Sequence, residues 1–174
     1  MDKIEGIDIE YTPASREANV YMTKNNSYKI YKDEETTRKF MGYFGMAATH
    51  GIPIPNPKFF NGTLTLEIAG ETKLVTGIKM DKLTGTFIQL SNSGKETELL
   101  NIIGGITNKS VLIRLKRFFD LGKKTMLADP QFFYTYCVTV PVVFFDIHFQ
   151  SYEGSKFDSA IKRINTRLIE LEER

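Results

Sequence analysis

The sequence predicts an α+β protein in which strands dominate the first half and helices the second. Short runs of alternating polar and apolar residues recur up to about residue 80, which is typical of half-buried strands. Apolar residues at helical spacing follow after residue 110 and surround one further pair of strand-like runs. A length of 174 residues suits one domain, or two small lobes that share one core.

Composition excludes several classes of protein and of site. Apolar residues make up 41% of the chain and charged residues 25%, which is typical of a soluble globular protein. The 23 basic and 21 acidic residues nearly balance, so we expect no nucleic-acid partner. A single cysteine, Cys137, excludes an internal disulfide and a cysteine-rich zinc site. The longest apolar run, 138–145, is too short to span a membrane.

The first half begins with a predicted strand pair and a helix. Residues 19–22 and 27–32 alternate like strands, and the Lys-Asn-Asn turn at 24–26 suits a hairpin because asparagine tolerates a positive φ. Acidic residues favour the positive end of a helix dipole, so 33–35 predicts a helix start. This helix is predicted to end at 49–51, with Gly51 as its stop.

A second strand pair is predicted after the prolines at 53, 55 and 57, which force an extended chain. The pair covers 63–68 and 74–80, with a turn between them. Residues 81–85 are predicted to leave the strand as a loop, and 91–95 to form a polar loop.

The second half predicts a helix over 111–122 that ends at Gly122, and an amphipathic terminal helix that begins at 155–158 and closes the core. Between them, 132–137 and 142–145 predict a short buried hairpin. Cys137 is interpreted as part of its packing. His148 is interpreted as a core histidine, and the alternative is that it neighbours a metal site.

Two aspartates flank this hairpin. Asp129 precedes it in a short loop, and Asp146 follows the apolar run 142–145. Because a hairpin separates them, the two carboxylates can converge at one end of the strands. The alternatives are that Asp129 caps a loop before a proline and that Asp146 is a solvated acid at a strand end.

The order of these features resembles the protein-kinase-like superfamily, above all its compact bacterial members and the small-molecule antibiotic kinases. That order is a strand pair with a lysine, a helix, Gly-x-Pro-x-Pro at 51–55, a second strand pair, a linker, a helix, an aspartate loop, a strand pair and an aspartate. The resemblance covers about 11–149. It implies a two-lobed minimal kinase fold: an N-lobe over 1–80 with an antiparallel sheet and one helix, a hinge at 81–85, and a reduced helical C-lobe over 86–174 with the catalytic loop and the C-terminal helix.

The resemblance assigns Lys29 as the catalytic and ATP-binding lysine of the third strand, with Lys32 as the fallback. The structural alternative is that both are surface lysines on an edge strand. A glutamate early in the following helix would pair with Lys29, and Glu35 is preferred over Glu34. The alternative for both acids is interaction with the helix dipole.

The remaining ATP contacts in the first half also follow from the resemblance. The stretch 12–21 takes the place of the phosphate loop and contains no glycine, and Ser15 is its candidate cofactor-binding residue. Met80 and Leu83 in the hinge would line the adenine and offer backbone groups to it. The alternative is an ordinary strand end.

In the second half, Asp129 matches the catalytic aspartate, which would orient a substrate hydroxyl and accept its proton. Leu127 and Ala128 stand where the family has histidine or arginine. Asp146 matches the metal-binding aspartate, with Gln131 as the second Mg²⁺ ligand.

Only 28 residues follow Asp146, so the resemblance implies a minimal kinase without an activation segment, similar to bacterial effector kinases that an injection system delivers into the host cytoplasm. Such an enzyme would use ATP and Mg²⁺ to phosphorylate Ser, Thr or Tyr of a protein, possible targets being a host protein or a chaperone, and would act as a monomer. Two alternatives stay open. One is a pseudokinase, which the glycine-free loop favours, and the other is an unrelated α+β interaction module.

Overall fold

The computed structural model describes residues 1–13, 15, 17–149 and 154–173. The described residues confirm the α+β class, with nine strands and four helices. The strands are β1 (Lys3–Ile4), β2 (Ile7–Asp8), β3 (Asn19–Met22), β4 (Asn26–Ile30), β5 (Lys58–Leu66), β6 (Glu71–Asp81), β7 (Thr86–Gln89), β8 (Gln131–Tyr134) and β9 (Val142–Asp146). The helices are α1 (Glu34–Thr49), α2 (Ser93–Gly105), α3 (Lys109–Lys124) and α4 (Asp158–Glu172).

The chain divides into two compact units. The first contains Met1–Gly45 and Pro55–Lys82, and the second contains Met46–Ile54 and the described chain from Leu83 onward. One division therefore falls between Lys82 and Leu83, inside the segment 81–85. The sequence did not indicate that Met46–Ile54 belongs with the second unit. The two-lobed kinase-like arrangement stays a prediction.

The first unit is built on a six-stranded antiparallel sheet of order β2-β1-β5-β6-β4-β3. Its hydrophobic core contains buried side chains from four segments. These are Ile4, Ile9, Tyr28, Ile30, Phe60 and Leu64. Because side chains alternate along a strand, Tyr28 and Ile30 place Lys29 on the opposite face of β4.

The sheet curls strongly. β2 ends at Asp8, and only two residues later the backbone N–H of Glu10 donates to the carbonyl of Met22 on β3 at 2.7 Å. Since β2 and β3 lie at opposite ends of the strand order, the sheet must bend round to bring them this close. Ile9 between them is buried. Strands β1 and β2, each two residues long, were not predicted from the sequence.

Helix α1 begins and ends close to where the sequence predicts. The Asp33 carboxylate accepts a hydrogen bond from the backbone N–H of Thr36 at 2.7 Å, which caps the first turn. At the other end Gly51 has φ +74°, and the N–H of Ile52 donates to the carbonyl of Ala47 at 3.0 Å. A left-handed glycine is the usual helix stop, so both predicted signals are confirmed.

In the second unit α4 packs against α2 and α3, and a three-stranded antiparallel sheet of order β7-β8-β9 contacts α2 through β7 and α3 through Phe119. The inner face of the sheet presents Ile88, Phe132 and Phe144, all fully buried. The ring of Phe132 lies 5.1 Å from that of Phe144 and 5.5 Å from that of Phe119 on α3, measured between centroids. The terminal helix closes this core, as predicted.

Three local predictions for the second unit are wrong. Gly122 does not end α3, which continues to Lys124. The polar loop predicted at 91–95 includes the start of α2, where the Asn92 side chain accepts from the N–H of Lys95 at 3.1 Å. Cys137 is exposed in the loop between β8 and β9, because β8 already ends at Tyr134. None of the helices among the described residues is long and apolar enough to cross a membrane.

Candidate functional site

A row of polar side chains crosses one end of the three-stranded sheet. Gln89 on β7 lies opposite Gln131 on β8, and Gln131 lies opposite Asp146 on β9. Residues directly opposite each other in antiparallel strands have side chains on the same face. The sheet therefore presents two amides and a carboxylate side by side, each partly exposed.

The loop that carries Asp129 is held against the chain that follows β9. The backbone N–H of Ala128 donates to the carbonyl of His148 at 2.8 Å, and Leu127 forms an isolated antiparallel bridge with Phe149. Leu127 and Ala128 are both buried. This apolar anchor brings Asp129 to the same end of the sheet as Asp146, so the predicted convergence of the two loops is observed within the unit.

Asp129 accepts hydrogen bonds from three side chains. Its Oδ1 accepts from Ser91 Oγ at 2.5 Å. Gln89 Nε2 lies 3.1 Å from Oδ2 and 3.3 Å from Oδ1, and Gln131 Nε2 donates to Oδ2 at 3.2 Å. The backbone of Asp129 is left-handed, with φ +38°, a region that aspartate tolerates better than most residues.

Gln131 contacts Asp129 and lies across the strands from Asp146. Its amide nitrogen is directed at Asp129, and Asp146 is its partner across the strands. The amide oxygen is therefore the end of Gln131 that is left to accept a donor or to bind a cation. Oxygen atoms from two carboxylates and one amide are the ligands that Mg²⁺ prefers in proteins, so the donor set fits the predicted metal.

His148 stands beside Asp146 and is not a core histidine. Its Nε2 lies 3.5 Å from Asp146 Oδ1, and both side chains are about one quarter exposed, at 23% and 24%. A protonated imidazole at this distance would form an ion pair with the carboxylate, whereas a cation on Asp146 would compete with it.

An aromatic surface adjoins the polar row. The rings of Phe87, Phe133 and Phe145 form a half-buried triangle with centroid separations of 5.4–5.9 Å. Phe87 is two residues from Gln89, and Phe133 is two residues from Gln131, so these pairs share the outer face of the sheet. The register shift between β8 and β9 makes Phe145 an extra residue and lets it join them.

Lys29 occupies the middle of β4, opposite Val20 on β3 and Ile78 on β6. β4 is an internal strand and Lys29 is only 9% exposed, so the edge-strand alternative is wrong for this residue. Lys32 differs, since it lies beyond the end of β4 and is exposed, with its Nζ 3.7 Å from Asp33.

The other residues predicted to contact ATP differ in how far they are exposed. Glu35 is exposed in the first turn of α1, and the neighbouring Glu34 pairs with Arg38 at 2.5 Å. Ser15 is exposed, while residues 14 and 16 on either side lie outside the described residues. Met80 is buried within β6, and Leu83, the first residue of the second unit after β6, is half-buried.

Part of the predicted hinge backbone is already engaged. The N–H of Asp81 donates to the carbonyl of Pro55, and the N–H of Lys82 to that of Asn25, each at 3.0 Å. Both bonds lie within the first unit and fix the end of β6. These two N–H groups are therefore already satisfied within the protein.

The sequence missed Gln89, Ser91 and the three phenylalanines as members of the site. A period-two run at 86–89 carried a weak strand signal, but its pairing with β8 joins residues that are 42 to 48 positions apart along the chain. Comparisons of the chain with protein-family models, with curated proteins and with solved structures found no match.

Proposed function

We propose that the chain is a minimal phosphotransferase that uses ATP and Mg²⁺ to phosphorylate a protein hydroxyl. The observation that supports this most directly is the cluster of Asp129, Gln131 and Asp146 at one end of the three-stranded sheet. Phosphoryl transfer requires little covalent chemistry from the protein. It needs a carboxylate near the attacking hydroxyl and oxygen ligands for the metal, and this cluster contains both.

In this proposal each residue has a distinct role. Asp129 orients the acceptor hydroxyl and takes its proton late in the transfer. Asp146 and the amide oxygen of Gln131 hold Mg²⁺, which neutralises phosphate charge when bound. Lys29 contacts the α- and β-phosphates from a rigid internal strand, and Glu35 is its proposed acidic partner.

The base of the nucleotide would use apolar surface. Met80 and Leu83 are proposed to contact the adenine, with Leu83 the more accessible of the two. The aromatic triangle of Phe87, Phe133 and Phe145 adds a half-buried apolar surface next to the proposed metal ligands. The protein substrate is proposed to be a host protein or chaperone and the chain a secreted bacterial effector, on the resemblance alone.

The test is a transfer assay with γ-labelled ATP and Mg²⁺, using the purified protein alone and with a cell lysate. We expect label on the protein itself or on a lysate protein, and its loss in Asp146→Ala and in Lys29→Ala. Asp120→Ala is the matched control, since this exposed aspartate on α3 pairs with Lys116, away from the cluster. Full transfer by Asp146→Ala would contradict the metal assignment.

A second candidate function is nucleotide binding without transfer. It is favoured by the state of Asp129, whose two carboxylate oxygens already accept bonds from three protein side chains. A carboxylate offers about four acceptor positions, so little capacity remains for a substrate hydroxyl. An ATP-dependent rise in melting temperature with no transfer would support this function, and no rise at all would favour an interaction module.

A further inference from the structure

Ser91 carries a hydroxyl that is already in contact with the proposed catalytic carboxylate. It lies two residues after the end of β7 and directly before Asn92, which caps α2. Its Oγ donates to Asp129 Oδ1 at 2.5 Å, while the serine itself is exposed. A general base must lie within hydrogen-bond reach of the proton that it removes, and this pair meets that condition.

The same contact defines where an acceptor hydroxyl would have to lie. In the proposed reaction the attacking oxygen is hydrogen-bonded to Asp129, and Ser91 Oγ is the hydroxyl that makes this bond. Gln89 and Gln131 hold the carboxylate through its other contacts, so they fix its direction relative to Ser91.

We propose that Ser91 is itself a phosphoryl acceptor, modified within the same molecule; this rests on the proposed function. Ser91 Oγ forms a bond to the γ-phosphorus of ATP, and the bond from that phosphorus to the β–γ bridging oxygen breaks. ADP leaves with the electron pair, and the hydroxyl proton passes to the Asp129 carboxylate. Until it is modified, Ser91 competes with any substrate hydroxyl for Asp129.

Once phosphorylated, Ser91 would not stay in contact with Asp129. Phosphoserine carries close to two negative charges at neutral pH and would be repelled by the Asp129 carboxylate. The N-terminus of the 13-residue helix α2 begins two residues further on, and its dipole favours negative charge. Modification would therefore move residue 91 away from Asp129 and leave the carboxylate open to a substrate.

The experiment incubates the full chain with Mg²⁺ and ATP and locates added phosphate by peptide mass spectrometry. We expect phosphate on Ser91, at a fractional rate that does not change over a tenfold range of protein concentration. Ser91→Ala and Asp129→Asn should each reduce the label by at least tenfold. Asparagine tolerates the left-handed backbone at 129, so this variant keeps the fold. Ser93→Ala, two residues along the chain at the first turn of α2, should keep the label.

The outcomes separate this inference from the proposed function. Transfer to a lysate protein with Ser91 unmodified would overturn the inference and leave the function standing. A labelling rate that rises with protein concentration would overturn modification within one molecule. Absence of both transfer and an ATP-dependent thermal shift would overturn the proposed function and this inference with it.

Discussion

Gly122 on α3 lies against the ring of Phe157, close enough that a Cβ atom at position 122 would come within 2.6 Å of the ring. Phe157 is fully buried and immediately precedes α4, and its ring centroid lies 5.5 Å from that of Phe119. The absence of a side chain at 122 is therefore what lets the terminal helix approach α3.

We expect Gly122→Ala to destabilise the protein, although alanine is the better helix former. Overpacking against Phe157 costs about 1–3 kcal/mol. The gain in helix propensity from glycine to alanine is about 1 kcal/mol, so the cost exceeds the gain over most of that range. Urea unfolding measures the difference. Gly42→Ala on α1 is the matched control, because a Cβ atom there meets nothing within 4 Å, and it should stabilise. Equal stabilisation by both changes would contradict the packing argument.

Arg167 stabilises the end of α2 from α4. The side chain is buried, and its Nε donates to the carbonyl of Ile106, the C-cap of α2, at 3.0 Å. We expect Arg167→Met to lower the free energy of unfolding by about 1–3 kcal/mol, since a hydrogen bond from a charged group is lost and the carbonyl stays buried. Lys162→Met, at an exposed position of α4, is the control and should change little. A small effect at both positions would argue against the cap.

Stability should fall at acid pH in part through Asp33. The hydrogen bond from Thr36 holds the pKa of the Asp33 carboxyl below its ordinary value, with a smaller contribution from Lys32. A carboxyl whose pKa is lower in the folded state stabilises the fold above its unfolded pKa of about 4 and loses that contribution as pH falls toward the folded value.

The measurement compares the melting temperatures of wild type and Asp33→Asn from pH 7 to pH 3. Asparagine keeps an acceptor for the cap but does not titrate. The advantage of the wild type should therefore shrink below pH 4. An advantage that is constant over the whole range would show that Asp33 does not contribute to the acid sensitivity.

Substitutions at Gln131 and Gln89 distinguish metal binding from the positioning of Asp129. If its amide oxygen binds Mg²⁺, Gln131→Leu should raise the Mg²⁺ concentration for half-maximal transfer by about tenfold or more, the scale seen when groups at metal sites are lost. Gln89→Leu is the control, because Gln89 also contacts Asp129 but is one strand further from Asp146. It should lower the rate without shifting the Mg²⁺ dependence. A shift of the same size in both variants would remove Gln131 from the metal site.

The elements that local chemistry specifies were predictable from the sequence. The acidic start and glycine stop of α1, the strand pairs and the convergence of the Asp129 and Asp146 loops depend on turn residues and on alternation over a few positions. Elements held by distant contacts were not. β1 and β2 are too short to show a period, and they form because Ile4 reaches Leu64 on β5.

Gly122, Gln89 and Ser91 show how contacts with other elements override local sequence patterns. Gly122 is typical of a helix end, yet α3 continues past it to Lys124, and the ring of Phe157 occupies the space that a side chain at 122 would need. Gln89 and Ser91 carry no motif, and they join the site only because β7 pairs with β8 in the register that sets Gln89 opposite Gln131. Asn92 with Leu99 and Ile103 was a readable signal for α2, since a cap is followed there by apolar residues four apart.

The chain from Asp2 to Tyr11 occupies hydrogen-bonding positions on β5 and on β3. Glu5 exchanges bonds with Thr63, through its N–H to the Thr63 carbonyl and through its carboxylate from the Thr63 N–H, while Tyr11 accepts from Met22. Deleting these ten residues would leave backbone groups of both strands open to strands from other molecules. Unsatisfied strand edges are templates for self-association, so we expect such a deletion to promote aggregation before it affects the second unit.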